Sequence, residues 1–196
     1  MITSKKELNE CIEYEHKQYC QYMFSTKRRR FLGWVKREPI MSIMRWQRYS
    51  RKADYYKYRV KNHPTVCEKI AYLFYTAMRN RLGEKIGIEV DTYNVGKGLI
   101  LYHYSGGVTI SDYVKIGKNC HLHGNNCIGN SGKSLTCPTI GDNVVLGVGA
   151  KIIGGVKIAN NVVIAAGSVV VKDITVEGCT VAGVPSRIIK SAALNI

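Results

Sequence analysis

Aliphatic residues recur at every sixth position over the second half of this chain of 196 residues. Stepping by six from Ile110 to Ile188 meets fourteen positions, and twelve of them are Ile, Leu or Val. Neither the 3.6-residue period of an α-helix nor the two-residue period of a simple strand produces this pattern. Six-residue units of strand and turn, three to a coil, stack into a triangular prism with the aliphatic side chains inside. The period therefore predicts a mostly β protein, a left-handed parallel β-helix of hexapeptide repeats.

The first 86 residues have a different composition, with both tryptophans, most of the tyrosines and few glycines. Segments 5–22 and 64–82 have helical character. In the second segment, apolar residues recur at roughly helical spacing: Val66, Ile70, Leu73, Ala77 and Leu82. We therefore predict an α-helical N-terminal region over 1–86 and a β-helix domain over 87–196.

One break interrupts the six-residue period. Segment 130–138 lies between Ile128 and Ile140, is polar, and has Ser134 where the period requires an aliphatic residue. Insertions in a repeat structure form loops outside the stacked core, and such loops commonly carry function. Its Gly-Lys-Ser is part of a P-loop pattern, but Cys127 stands where that motif needs its first glycine. We predict a functional loop that is not a P-loop.

Cysteine content and hydropathy restrict the class of protein. The seven cysteines are odd in number and include no Cys-x-x-Cys pair, which argues against a disulfide framework and against a zinc knuckle. The chain has neither a signal-peptide pattern at its start nor an apolar run long enough to span a membrane. We therefore expect a cytoplasmic protein.

The formal net charge is +15, and most of the Lys and Arg lie in the N-terminal region. A run of four basic residues, 27–30, has Trp34 and Trp46 nearby. One interpretation is a solvated helical face. The other is contact with an anionic membrane surface, which would place the protein peripherally at the inner membrane face. We expect no nucleic-acid partner.

Four segments carry a family resemblance. Segment 98–103, Gly-Leu-Ile-Leu-Tyr-His, followed by Val-Thr-Ile, resembles the catalytic strand of bacterial serine O-acetyltransferases. Segment 138–144 is similar to the strand after their active-site loop, and 164–170 and 182–188 are similar to their acetyl-coenzyme A end. The resemblance covers about residues 86–190 and implies an enzyme: an acyltransferase that uses acetyl-CoA as donor and assembles as a homotrimer.

The resemblance also implies roles for individual residues. His103 stands where the family has a general base on the acceptor hydroxyl, a chemistry that an alcohol needs to become a nucleophile. Glu89 matches the carboxylate that orients this base, with Asp91 as the alternative. The chain departs from the family at Tyr102, where an aspartate is usual, and at Cys137, where a second histidine is usual. Both positions help to hold serine in the family, and the departures favour the related enzymes that acetylate sugars of surface polysaccharides.

Acceptor and cofactor contacts follow residue by residue from the same resemblance. Tyr102, Cys137 and His123 are expected to line the acceptor pocket, which in this family lies between adjacent subunits. Coenzyme A is expected to contact the loop, two later turns and the C-terminal end, through Asn130, Ser131, Lys133, Val148, Ala166, Arg187 and Lys190. His121 and His123 flank an inward leucine, but the histidine spacing of the metal-binding β-helix carbonic anhydrases is absent, so we expect no metal.

The sequence thus predicts an acetyl-CoA-dependent O-acetyltransferase acting on a hydroxyl of a sugar or surface-polysaccharide precursor, with His103 as general base. Serine O-acetyltransferase of cysteine biosynthesis is the alternative within the same chemistry. A metal-dependent hydratase on the same fold and a non-catalytic β-helix scaffold are alternatives of other classes. Pairing of trimers through the helical region stays open, because that region is shorter than in true serine acetyltransferases.

Overall fold

The computed structural model describes residues 2–24, 26–36 and 38–191. Four helices come first: α1 (Lys5–Met23), α2 (Lys27–Val35), α3 (Pro39–Asn62) and α4 (Val66–Ile86). Capping boxes begin α1 at Ser4 and α4 at Thr65, because each side chain accepts a hydrogen bond from the backbone three residues on. Gly87 ends α4 with a left-handed φ of 70°. The two predicted helices are confirmed, and the second begins after its Thr65 cap and extends to Ile86.

Fourteen short strands follow in the part of the chain that the structure describes. They form three sheets, which we number 1 to 3. All neighbouring strands pair in parallel except β13 and β14, which form an antiparallel hairpin. The strands of sheet 1 are β1 (Ile88–Val90), β3 (Val108–Ile110), β6 (Asn126–Gly129), β9 (Lys151–Ile153) and β12 (Val169–Val170). Those of sheet 2 are β4 (Lys115–Ile116), β7 (Thr139–Ile140) and β10 (Lys157–Ile158), and those of sheet 3 are β2 (Ile100–Leu101), β5 (His121–Leu122), β8 (Val145–Leu146), β11 (Val163–Ile164), β13 (Thr180–Gly183) and β14 (Ser186–Lys190).

The predicted left-handed parallel β-helix is confirmed, and its register explains the break in the period. Ile110 pairs with Ile128, eighteen residues on, which is three six-residue units. Ile128 pairs with Ile152, twenty-four residues on, so one whole unit has left the prism. Ser134 lies in that unit and is exposed, like all of residues 131–136. The loop therefore interrupts the six-residue repeat, but the same set of side chains points inward before and after it.

The period fails near its C-terminal end. Val176 is 41% exposed and Ile188 is 46% exposed, whereas Ile174 and Val181 are buried in their place. Ile174 bridges to Ile158, sixteen residues earlier, so the last coil is two residues short of a full turn. The extension of the six-residue ladder to Val176, Ala182 and Ile188 is therefore wrong. Because the last coil is shorter, different residues point into the prism. After it, the β13–β14 hairpin no longer follows the turns of the β-helix.

The helical region packs on the first coils through a shared core. Trp46 and Ile43 of α3 are buried in the same cluster as Leu99 and Leu101. Gly83 of α4 permits this approach, because a Cβ there would lie 2.4 Å from the carbonyl oxygen of Ile88. By contrast, the apolar stripe predicted on α4 faces solvent, with Val66, Ile70 and Leu73 between 62% and 73% exposed.

The basic run lies on α2, where Lys27, Arg28 and Arg29 are exposed. The solvated helical face is therefore present, and Phe31 and Trp34 on the same helix are 62% and 60% exposed. No helix in the described ranges is long and apolar enough to cross a membrane. Contact of α2 with a membrane surface stays a prediction.

Asparagine side chains build the corner between sheets 2 and 3. Asn119, Asn143 and Asn161 have φ values of 55°, 57° and 60°, a left-handed conformation that asparagine tolerates better than most residues. The Nδ2 of Asn119 donates to Oδ1 of Asn143 at 3.0 Å, and Nδ2 of Asn143 donates to Oδ1 of Asn161 at 2.9 Å. Tyr14 of α1 extends the chain by donating its hydroxyl to Asn119 at 2.9 Å.

We expect Asn143→Ala to lower the free energy of unfolding by about 1–2 kcal/mol, because the left-handed backbone conformation is unfavourable for alanine and both side-chain hydrogen bonds are lost. Asn143→Gly also loses those bonds but adopts the left-handed φ freely, so it should be the milder change. Urea denaturation of the two variants and the parent measures the difference. An alanine variant as stable as the glycine variant would show that backbone conformation does not limit this corner.

Candidate active site

Aromatic rings cover the outer face of sheet 3 at its first coils. Tyr102 stacks on His123 with ring centroids 4.4 Å apart and an interplanar angle of 15°. Its hydroxyl lies 3.2 Å from Nδ1 of His121. Tyr22 of α1 meets the His121 ring edge-on at 5.7 Å. The register explains this cluster, because Leu101 pairs with Leu122 and thereby places Tyr102 beside His123.

Burial sets the protonation of these groups. It lowers the pKa of His121, and the neighbouring His123 lowers it further. It also lowers the pKa of His123, where the proximity of His103 is the second cause. Burial raises the pKa of the Tyr102 hydroxyl. The rings of this cluster are therefore favoured in their neutral forms at neutral pH. Their faces are apolar, and their ring nitrogens and hydroxyl can form hydrogen bonds.

His103 follows β2 at the corner where the chain turns from sheet 3 into sheet 1, and its side chain is exposed. The next coil approaches it closely at Gly124, where a Cβ would lie 3.0 Å from the His103 carbonyl oxygen and 3.2 Å from its Cβ. Gly124 also has a φ of 107°, which disfavours other residues. The corner thus requires glycine above His103.

Later turns stack at the same corner. The amide of Gly149 donates to the Gly124 carbonyl at 3.0 Å, and the amide of Gly167 donates to the Val148 carbonyl at 2.8 Å. Val148 is 52% exposed, and Ala166 is exposed one coil further on. We call His103, Gly124, Val148 and Ala166 the corner column. Three residues predicted from the sequence for catalysis or cofactor binding therefore lie on one line.

The C-terminal hairpin separates two of the predicted cationic contacts, Arg187 and Lys190. The amide of Gly183 donates to Oγ of Ser168 at 3.2 Å, which places the β13–β14 turn above the corner column. Arg187 pairs with Ala182 next to this turn and is exposed. Lys190 pairs with Thr180 at the far end of the hairpin. Of the two, Arg187 is the one that the structure brings to the column.

Glu89 lies at a different place. It is exposed on β1 of sheet 1, level with Thr109, and lines an open cleft of about 890 Å³ together with Asn130. Asp91 is committed elsewhere: it accepts from Nζ of Lys57 at 2.9 Å and from the Tyr93 amide at 2.9 Å. Burial works against its charge, but these hydrogen bonds hold the pKa of Asp91 below its usual range.

Within the described ranges, no hydrogen bond joins His103 to either carboxylate. The structure of one chain therefore does not bring the predicted base together with its orienting group, and the role of Glu89 stays a prediction.

The loop 130–138 leaves the opposite edge of sheet 1, after β6. Asn130 accepts from the Gly132 amide at 2.9 Å, while Ser131 and Lys133 are exposed. Cys137 is half-buried, and its Sγ lies 3.6 Å from Oγ of Ser111. These predicted contacts are therefore near Glu89 and across the width of sheet 1 from the corner column.

Sequence reasoning missed several residues that shape the site. Tyr22 completes the aromatic cluster from α1, and two buried side chains fix β2, the strand that ends at His103. Tyr19 accepts from the Leu101 amide at 3.0 Å, and Nε2 of Gln47 donates to the Leu99 carbonyl at 2.7 Å. These contacts depend on how α1 and α3 pack on the solenoid, which no local pattern encodes. Among the described residues, no group of three His, Cys, Asp or Glu side chains could hold a metal ion.

Comparison with known proteins agrees with the fold. Residues 137–172 match the bacterial transferase hexapeptide family of six repeats. The chain is 32% identical over 142 residues to a serine acetyltransferase of Synechococcus elongatus, an alignment that covers 67% of this chain and 57% of that protein. A serine acetyltransferase of Staphylococcus aureus is 36% identical over 113 residues, covering 56% of this chain and 52% of the relative. The chain thus spans about half the length of these relatives.

Solved structures extend the likeness to nearly the whole chain. The serine acetyltransferase of Brucella abortus superposes with a TM-score of 0.71 at 21% identity, covering 96% of this chain and 71% of that one. The Neisseria gonorrhoeae serine acetyltransferase gives 0.69 at 25% identity, covering 96% and 69%. A Brucella abortus structure in complex with coenzyme A gives 0.67 at 23% identity. The helical region is therefore part of the shared fold.

Proposed function

We propose that this protein is an acetyl-CoA-dependent O-acetyltransferase. The observation that carries the proposal is the corner column, which aligns His103 with Val148, Ala166 and, above them, Arg187. The exposed turns provide a continuous surface, and Arg187 a guanidinium, for an extended, phosphate-bearing donor. At the base of the column, His103 is free to take a proton from a bound hydroxyl.

The proposed reaction is a direct transfer. His103 removes the proton of the acceptor hydroxyl as its oxygen attacks the thioester carbonyl, which forms a C–O bond and a tetrahedral oxyanion. Collapse of this intermediate breaks the C–S bond, and the imidazolium returns the proton to the leaving thiolate. Acetylated acceptor and free coenzyme A are the products. Similarity to serine acetyltransferases and the coenzyme A complex of one structural neighbour support this chemistry.

Two acceptors are candidates. L-Serine is favoured by the relatives, whose names all specify serine acetyltransferase. A sugar hydroxyl is favoured by the surface beside His103, where Tyr102 stands in place of the family's usual aspartate and its ring, stacked on His123, offers a broad apolar face. Cys137 stands where the family has a second histidine that helps to hold serine, so this chain lacks that imidazole.

The proposed assembly is a homotrimer. The loop residues Asn130, Ser131 and Lys133 lie across sheet 1 from the corner column of the same chain. A neighbouring copy packed against that column would present its own loop there and complete the donor site. A cyclic trimer of the triangular prism repeats this contact three times.

An acceptor panel tests the proposal. Purified protein is given acetyl-CoA with L-serine, with nucleotide sugars or with oligosaccharides, and free thiol release is followed. We expect thiol release with one acceptor class at a rate at least about tenfold above acceptor-free hydrolysis. Preference for L-serine would select the serine O-acetyltransferase, and preference for a saccharide would select the sugar enzyme. A chain that binds no coenzyme A in a thermal-shift experiment would instead be a non-catalytic scaffold.

A further inference from the structure

A second cleft lies in the helical region, away from the corner column. It opens between α1 and α3, has a volume of about 450 Å³ and is bordered by Trp34 of α2. Volumes of this size are typical of small-molecule sites. Its inner wall is preformed, because Glu15, Tyr19 and Gln47 are buried and hydrogen-bonded to the solenoid. The proposed acetyl transfer makes no use of this cleft.

Positive charge converges on the cleft. Arg45, Arg48 and Lys52 lie three and four residues apart on α3, so they share one helical face, and all three line the cleft. In the described ranges, neither Arg45 nor Arg48 has a carboxylate within ion-pair distance. On the same helix, Arg51 is paired with two carboxylates and Arg59 with one. Arg45 and Arg48 therefore have capacity for an external anion.

The remaining lining groups agree with a cationic site. Burial lowers the pKa of His16, and the charges of Arg30 and Arg48 lower it further, which shows that positive potential reaches this wall. Glu15 lines the cleft as well, but its carboxylate is bound by Arg51 at 2.6 Å. The cleft thus keeps an uncompensated positive charge.

An apolar surface lies beside the arginines. Trp34 is 60% exposed at the rim, and Met41, Met44 and Tyr49 line the same cleft. An exposed indole next to guanidinium groups suits a ligand with an anionic head and a flat or apolar body. The planar guanidinium of arginine binds phosphate in two-point geometry, and two such groups suit the larger negative charge of a phosphate.

We propose that this cleft binds a phosphate-bearing organic anion, whose phosphate pairs with Arg45 and Arg48 and whose apolar or aromatic part lies against Trp34. A soluble nucleotide and the headgroup of an anionic phospholipid share this chemistry. The proposal stands independently of the acetyl-transfer reaction, because it uses other residues and another surface.

Titration calorimetry on the full chain tests it, with ADP and inorganic pyrophosphate as soluble probes and phosphatidylglycerol vesicles as the membrane probe. We expect at least one probe to bind, and the double variant Arg45→Gln, Arg48→Gln to weaken that binding at least about tenfold, the effect of losing charge-assisted hydrogen bonds. Lys115→Gln, Lys157→Gln is the matched control, since it removes the same charge from exposed positions of sheet 2, outside both the cleft and the basic run 27–30, and should change the affinity less than about twofold.

The probes separate the ligand sources, and three results would overturn the proposal. ADP binding would identify a soluble nucleotide, and vesicle binding without ADP binding would identify a lipid headgroup. Absence of binding by all three probes would contradict the site. An equal loss of affinity in the two double variants would show that net charge, and not the cleft, determines binding. Loss of ADP binding in Arg187→Gln, with normal binding in the Arg45, Arg48 variant, would assign the nucleotide to the corner column instead.

Discussion

Replacing His103 by asparagine is expected to lower kcat for acetyl transfer by about 10²–10⁴-fold, the contribution that a positioned general base makes. Asparagine can keep a hydrogen bond to the acceptor hydroxyl but cannot take its proton. His103 is exposed at the foot of the corner column, so the change should not disturb folding. Acetyl-CoA binding, measured by titration calorimetry, should be unchanged, because the proposed donor contacts lie on later coils.

His63→Asn is the matched control, since His63 is exposed beyond the end of α3 and far along the chain from the column. It should keep the parent's rate. If His103→Asn retained more than about a tenth of the parent kcat, a general base would have to be sought elsewhere. Loss of acetyl-CoA binding together with activity would instead assign His103 to the donor site.

The two departures from the serine acetyltransferase pattern have different structural settings. The Tyr102 ring is held in place on both sides, by stacking on His123 and by an edge-on contact with Tyr22. It therefore forms a fixed part of the surface beside His103. Cys137 packs against Ser111 across sheet 1 from that surface. In one chain the two positions therefore do not meet, and they could contact the same acceptor only through the proposed neighbouring copy.

Much of the solenoid could be predicted because its period is local. Every inward position from Ile110 to Val170 except Ser134 is buried, and each strand needs only its own six residues to be recognised. The last coil could not be predicted in this way. It is shorter than a full turn, which moves the inward positions to Ile174 and Val181, and nothing in the amino-acid composition indicates this shortening. A period read from the sequence fixes spacing and cannot detect that a corner has been shortened.

The site was predictable where it follows the solenoid and unpredictable where it depends on packing. Val148 and Ala166 fall on the corner column because the coils repeat regularly. Asn126 occupies a position that is otherwise small or apolar, and its Nδ2 donates to the carbonyls of Gly147 and Ala150 at 2.9 and 3.1 Å, bonds that appear only once the coils stack. The same holds for Gln47, whose partner Leu99 lies 52 residues away.

A large loss of stability is expected when Arg51 is replaced, because this residue connects the helices to the solenoid. Arg51 is 1% exposed and binds Glu15, with 2.6 Å between Nη2 and Oε1. It also donates to the carbonyls of Val95 at 2.9 Å and Gly96 at 2.7 Å. Arg51→Met keeps much of the side-chain volume but leaves the buried carboxylates of Glu15 and Asp54 without their cation, and the carbonyls of Val95 and Gly96 without this donor. Breaking a buried pair in this way costs about 3–5 kcal/mol, and we expect the free energy of unfolding in urea to fall by that amount.

Arg59→Met is the control on the same helix, because Arg59 pairs with Glu68 at the surface and its loss should change stability little. Equal losses in the two variants would mean that burial of the Arg51 pair does not matter. The double variant Glu15→Gln, Arg51→Met separates the causes further. If the single change acts mainly by stranding the Glu15 charge, neutralising Glu15 should recover part of the lost stability. If the unsatisfied carbonyls of Val95 and Gly96 or the stranded Asp54 charge dominate, the double variant should be no more stable than Arg51→Met alone, and the Glu15 pair would not be the main source of the loss.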